Sequence, residues 1–201
     1  MKLGDDKTPE ILANLPVLSF ERQKDWALWL RKNQANPTGI WLRIAKKPIG
    51  NQSLTYHEAL EAALCYGWID GQKKSDSDTA WLQKFTPRGK RSIWSKINRE
   101  KALALIGSGQ MQPAGLRAIE RAKEDGCWEA AYDSPSTAAI PHDLQAALNK
   151  NRHAQAFFKT LNSANRYAVL FRIQTAKKAE TRSKRIQQFV QMLERNEKLH
   201  P

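Results

Sequence analysis

The stretch Cys65-Tyr66-Gly67-Trp68-Ile69-Asp70-Gly71-Gln72-Lys73-Lys74 decides how this chain folds. It follows Ala59, Leu60, Ala63 and Leu64, whose spacing puts one side of a helix into a core and brings that helix to an end near Gly67. Trp68-Ile69-Asp70-Gly71 then reads as a short strand entering a charged loop, Gln72 to Asp78. Ala80 to Thr86 supplies an antiparallel partner, with Trp81 and Phe85 flanking Gln83 on one face because side chains alternate along a strand.

Toward the N-terminus, Thr55-Tyr56-His57-Glu58 is a capping box that opens the same helix. The β-branched and aromatic run Ile40 to Ile44 predicts another strand, entered through the turn Asn36-Pro37-Thr38-Gly39. Ser19 is an N-cap candidate for a helix reaching Asn33, with Trp26, Trp29 and Leu30 on its apolar stripe. Residues 1–18 read as an irregular lead-in, and Pro48, Gly50 and Asn51 as a loop.

Toward the C-terminus, Pro87 to Arg91 is a basic turn. Ser92 or Ser95 caps a helix that stops at Gly107 and Gly109, and Pro113 opens a second helix ending before Gly126. Residues 127–140 have little periodicity and read as a linker or loop. From Pro141 onward the pattern is helical, closing with Ile186, Phe189, Val190 and Leu193 at i, i+3, i+4 and i+7. The expectation is an α+β protein. Residues 1–126 form a small antiparallel sheet backed by helices, and residues 141–201 form a basic helical module.

Bulk composition narrows the function classes. With 41% hydrophobic and 26% charged residues, the chain can build a core without disulfides or metal. Its two cysteines, Cys65 and Cys127, have no ligand-like or CxxC spacing, which predicts free thiols in a reducing compartment. The polar N-terminus does not read as a signal peptide, and no apolar stretch is long enough to span a bilayer, so a cytoplasmic location is expected. His57, His142, His153 and His200 are scattered, and there is no phosphate-loop, dinucleotide or zinc-protease motif. Neither a metal nor a cofactor is expected.

The net charge of +13 draws anions. Two constellations offer a place for them. In the first, Trp68, Asp70, Lys73, Arg88, Arg91, Ser92, Trp94 and Ser95 read as an anion or small-ligand pocket. Arg88 and Arg91 would clamp a carboxylate or phosphate, Trp68 and Trp94 would form apolar walls, and Ser92 or Ser95 would present free helix N–H groups. An enzyme with Asp70 as base and Arg88 as electrostatic stabiliser is an open alternative, as is a structural turn closed by an Asp70 salt bridge. The second is Lys177, Lys178, Arg182, Lys184 and Arg185. They belong to a region, residues 150–201, with twelve Lys and Arg against three Asp and Glu. A nucleic acid or a solvated helix face both suit them. The sequence fixes neither a catalytic residue nor an oligomeric state.

Several stretches together carry a family resemblance: Ala62 to Gly71, Phe85-Thr86-Pro87-Arg88, Ser92-Ile93-Trp94-Ser95 with Asn98, Gly109 to Gly115, and Ala176 to Arg182. The combination resembles the bacterial YdeI/OmpD-associated family, also labelled bacteriocin-protection proteins. The resemblance implies a mixed fold related to small YjbR/CyaY-like proteins, with an added helical module. It also implies a part in stress tolerance toward bacteriocins or cationic antimicrobial peptides, and association with an outer-membrane porin. It carries over no catalytic residues. A chain of charge +13 repels cationic peptides, so any protection it gives is expected to be indirect.

Overall fold

Four strands, β1 (Val17–Leu18), β2 (Ile40–Ala45), β3 (Trp68–Ser75) and β4 (Ala80–Pro87), form one sheet in the order β1-β2-β4-β3. The computed structural model describes residues 15–34, 36–46 and 53–201. The readings of the lead-in before Leu15 and of the loop at Pro48, Gly50 and Asn51 lie outside them. β4 is antiparallel to both β2 and β3, but β1 runs parallel to β2, so the sheet is mixed rather than wholly antiparallel.

β3 continues through Gln72–Ser75, where the sequence reading placed a charged loop. The register slips between Asp70 and Lys73, and the buried Gln83 amide stitches the bulge by donating to the carbonyls of Gly71 at 2.9 Å and Gln72 at 3.2 Å. Its side-chain donor thus satisfies carbonyls that the slipped ladder leaves over. Lys73 and Lys74 can extend this strand because it lies at the sheet edge and their ammonium groups stay in water.

Residues directly opposite one another share a face, so the pairs Asp70–Phe85, Lys73–Gln83 and Ser75–Trp81 put these six side chains on one side. Helices α1 (Gln23–Lys32) and α2 (Tyr56–Cys65) cover that side. Trp26 of α1, fully buried, packs on Phe85 at 5.6 Å and edge-on against Trp68 at 6.4 Å, and its indole N–H donates to the Ala59 carbonyl of α2 at 3.0 Å. One aromatic thus ties sheet, α1 and α2 together with its polar atom satisfied. The opposite face carries a smaller cluster of Leu15, Trp41 and Leu82.

α1 begins at Gln23 rather than after Ser19. Arg22 occupies the N-cap in extended backbone, and its guanidinium pairs with Asp25 at 2.8 Å. The capping box of α2 is present in full: Thr55 Oγ1 accepts from Glu58 N–H, and the Glu58 carboxylate takes the Thr55 N–H at 2.9 Å. Helices α3 (Lys96–Gly107) and α4 (Pro113–Glu124) follow. α4 enters tightly against the end of α2. The Gln112 N–H donates to the Cys65 carbonyl at 3.2 Å, and a Cβ on Gly115 would lie 2.8 Å from the Leu64 carbonyl oxygen. Gly67, at φ +75°, faces the Ala114 carbonyl in the same joint, and both its φ and that contact favour glycine.

The chain divides into two compact units, the first reaching Ser92 and adding Asn98–Trp128, the second combining Ile93–Ile97 with Glu129–Pro201. In the second unit, helices α5 (His142–Asn149), α6 (Arg152–Thr160), α7 (Ser163–Gln174) and α8 (Ala179–Glu194) enclose a core including Leu144, Leu148, Phe158, Leu170, Ile173, Phe189 and Leu193. Asp133 fastens its leading segment. Its carboxylate pairs with Lys96 at 2.6 Å and accepts from Gln174 at 2.8 Å, and its carbonyl accepts from the Tyr167 hydroxyl. Buried Asn165 holds the chain end through both the N–H and the carbonyl of His200. Among the described residues no helix is long and apolar enough to cross a membrane.

Candidate functional site

The hairpin register decides what the predicted site residues can do together. Asp70 stands opposite Phe85, and Lys73 opposite Gln83 on the same face. Helix α2 runs over that face, and its first residue, Tyr56, donates its hydroxyl to Asp70 Oδ2 at 2.7 Å. The Tyr56 ring lies 5.7 Å from the half-buried Trp81, and the Lys73 ammonium sits over the Trp81 ring at 4.2 Å. The result is a solvent-facing cluster of a fixed carboxylate, two aromatic rings and an ammonium held above one of them. Such a cation–π contact contributes about 0.5–1 kcal/mol at an exposed position and keeps Lys73 in one place. Lys74 does the same on the other face, 4.3 Å over Trp41.

The other predicted residues stand elsewhere. Trp68 is not a pocket wall. It is 1% exposed and wedged among Trp26 and Trp29, because strand alternation puts it under α1. Arg88 lies one residue beyond β4, past Pro87, which faces Trp68 across the hairpin. It is 7% exposed, and its N–H donates to the Gly67 carbonyl at 2.9 Å. Asp70 and Arg88 thus occupy different levels of the hairpin. Asp70 also takes its hydrogen bond from Tyr56, where a salt bridge to Arg88 or Lys73 was one expectation. Arg91 is exposed, and the Ser92 hydroxyl closes the Gly89 turn by accepting its N–H at 3.0 Å.

Trp94 and Ser95 belong to the second unit. The Trp94 carbonyl accepts from Tyr132 N–H at 3.0 Å, Ser95 bridges to Tyr132, and Tyr132 in turn accepts the N–H of Lys96 at 2.9 Å. That N–H, the first of α3, is therefore already bonded within the chain and is not offered to an anion.

The basic residues of the helical unit divide as well. Arg182 forks onto Asp143 with bonds of 2.6 and 2.9 Å and donates to the Ile173 carbonyl at 3.0 Å. These bonds lower the Asp143 carboxyl below its usual range. Arg185 donates to the Arg172 carbonyl. Lys177, Lys178 and Lys184 are exposed.

Sequence reasoning missed Tyr56, and it placed Trp81 only on the strand face it shares with Gln83 and Phe85. The signal for Tyr56 was its place directly after the Thr55 cap, which fixes it in the first turn of α2. Seeing its partner needed the three-dimensional path of α2. His57 is exposed between Glu61 at 3.0 Å and Lys101 at 3.1 Å. Among the described residues no three His, Cys, Asp or Glu side chains gather closely enough to hold a metal ion.

Fold and site define an α+β unit followed by a helical unit. Residues 18–118, half of the chain, match the family model described as Domain of unknown function (DUF8412), and the chain belongs to that family. Residues 137–196, which contain α5 to α8, match a second model described as Bacteriocin-protection, YdeI or OmpD-Associated, so the chain is YdeI-like in its helical unit. No curated protein and no solved structure matches the chain.

Proposed function

We propose that this is a cytoplasmic stress-tolerance protein of YdeI-like kind whose α+β unit binds a small anionic ligand at Lys73. The observation that carries this reading is the ammonium of Lys73 held 4.2 Å above Trp81 beside the Tyr56–Asp70 pair. A cation already fixed on an aromatic platform needs little ordering to meet an anion. The ring can cover the ligand's apolar part, and Asp70 can accept from a ligand hydroxyl or amine.

The test is a melting-temperature screen with phosphate, citrate and nucleoside monophosphates. At least one should raise the melting point, and Lys73→Ala should abolish the shift while leaving the unliganded protein's melting point nearly unchanged. No shift from any anion, or an equal shift in Lys73→Ala, removes the reading. Unchanged survival of a strain lacking the gene under antimicrobial-peptide challenge would remove the stress-tolerance part.

A second reading is nucleic-acid binding by the helical unit. It is favoured by Lys177 and Lys178 standing at the N-terminal end of α8, where the helix dipole adds to their positive potential. With Arg182 neutralised by Asp143, the exposed lysines at 178 and 184 can meet phosphates. Two contacts predict a salt slope of about −1.8 on duplex DNA. A flat salt dependence, or no binding at physiological salt, would exclude it.

A further inference from the structure

Helices α5 and α8 of the second unit flank a groove of about 730 Å³. Its floor follows helical spacing. Ala146 and Ala147 line it from α5, and Ile186 and Val190, four residues apart, line it from α8. Ile186 belongs to the core of the unit, and Ala147 and Val190 pack against that core, so the floor is an apolar surface continuous with the interior. Two consecutive alanines explain the space: larger side chains at 146 and 147 would fill the gap that the helices leave.

The polar groups of the groove are few and uneven. Asp143 and Arg182 line it as a closed ion pair, with bonds of 2.6 and 2.9 Å, and neutralise one another. Lys150, the residue that caps the C-terminal end of α5, also lines the groove and leaves it with one uncompensated positive charge. Gln187 and Gln191 form an uncharged rim one residue round from the floor of α8. An apolar floor, a few placed polar groups and this volume are the features of a small-molecule site. The α8 wall, Ala179 to Gln191, runs about 18 Å by helical rise and α5 flanks about 12 Å of it, room for one short acyl chain.

We propose that this groove binds a small anionic amphiphile. Its hydrocarbon lies on Ala146, Ala147, Ile186 and Val190, and its negative head group meets Lys150. The site is in the other unit from Lys73 and goes beyond the function proposed above, so Lys73→Ala should leave it intact.

The experiment is calorimetry of the full chain with decanoate below its micelle-forming concentration. Decyltrimethylammonium, anionic phospholipid vesicles and an acidic amphipathic peptide are the comparison titrants. Decanoate should bind with one-to-one stoichiometry. Lys150→Gln should weaken it about tenfold, the effect of losing one charge-assisted contact. Ala147→Phe should abolish binding by filling the floor. Lys150 is exposed at a helix end, so its replacement preserves the fold and decides the question even if Ala147→Phe unfolds. Equal binding of decyltrimethylammonium would overturn the proposal. So would decanoate binding untouched by both substitutions, or binding of the vesicles or the peptide with none of decanoate.

Discussion

The Tyr56 hydroxyl donates to the Asp70 carboxylate at 2.7 Å across fourteen residues of sequence, joining the start of α2 to the strand that follows its end. A hydrogen bond to a charged acceptor contributes about 1.5–3 kcal/mol when well shielded, and about 1 kcal/mol in this half-buried setting. Tyr56→Phe should therefore lower unfolding stability by about 1 kcal/mol in urea. Asp70→Asn should lower it less, since the amide carbonyl still accepts. The double variant should cost less than the two single changes together, because both remove one contact. Strict additivity would mean that the pair is not coupled, and that Asp70 is not held in place for a ligand.

The joint between α2 and α4 gives a sharper steric prediction. A Cβ at Gly115 would press on the carbonyl oxygens of both Leu64 and Cys65, and backbone atoms of a helix end cannot step aside cheaply. Gly115→Ala should cost at least about 2 kcal/mol, in the range for forced overpacking. Gly107, with open space around its Cβ position, is the control. Gly107→Ala at the end of α3 should be neutral or slightly stabilising by reducing unfolded-state freedom. Equal effects at both positions would show that the tight joint is not what requires Gly115.

That joint also explains how far the sequence could be read. Gly67 and Gly115 lie in two of the stretches that carried the family resemblance, and together they serve helix packing rather than a ligand. The elements themselves were legible wherever a local pattern determines them, as in the Thr55–Glu58 capping box, the alternation around Gln83 and the stripe from Ile186 to Leu193. Ser19 failed as a cap because a hydroxyl at a plausible position does not fix where the first turn closes. Gln72–Ser75 looked like a loop because a strand at a sheet edge carries lysines that a central strand would exclude. Most of the site was hidden for a different reason. Trp68 and Asp70 share one face of the hairpin, but α1 buries the first while the second meets Tyr56 at the start of α2, and composition carries no trace of which helix covers which residue.

Three carboxyls, Glu58, Asp133 and Asp143, are held below their usual range, chiefly by hydrogen bonds from Thr55, Lys96 and Arg182 respectively. A lowered folded pKa means that the folded state keeps these groups charged where the unfolded chain has begun to protonate. Their stabilisation is therefore present above the unfolded values, about 4, and is lost as pH falls through the lower folded ones. Urea midpoints should be steady from pH 7 to about 5 and decline below about 4. Asp143→Asn should be less stable than wild type at pH 7 by under about 1 kcal/mol, since the pair is partly exposed, and the gap should close near pH 2. A constant gap across that range would mean that the Arg182 fork contributes through packing and not through charge.

Cys65 behaves in the opposite sense. Burial, with a smaller contribution from Glu61, pushes its thiol up to about 11. At pH 8 only about one molecule in a thousand then carries the reactive thiolate, and the sulfur is also shielded from reagent. An aromatic disulfide reagent should label the native protein at least about a hundredfold more slowly than the protein in guanidinium, where both buried cysteines become accessible. The proton linkage follows from the raised folded value. The stabilisation is complete below the unfolded thiol pKa, about 8.5, and is lost as pH rises toward 11. Cys65→Ala should flatten this alkaline decline, whereas Cys65→Ser should lower stability at neutral pH by about 1–3 kcal/mol by burying a hydroxyl in the same space. Rapid labelling of Cys65 in the native state, or an alkaline decline unchanged in Cys65→Ala, would show that this helix end opens far more readily than its packing against Gln112 and Gly115 implies.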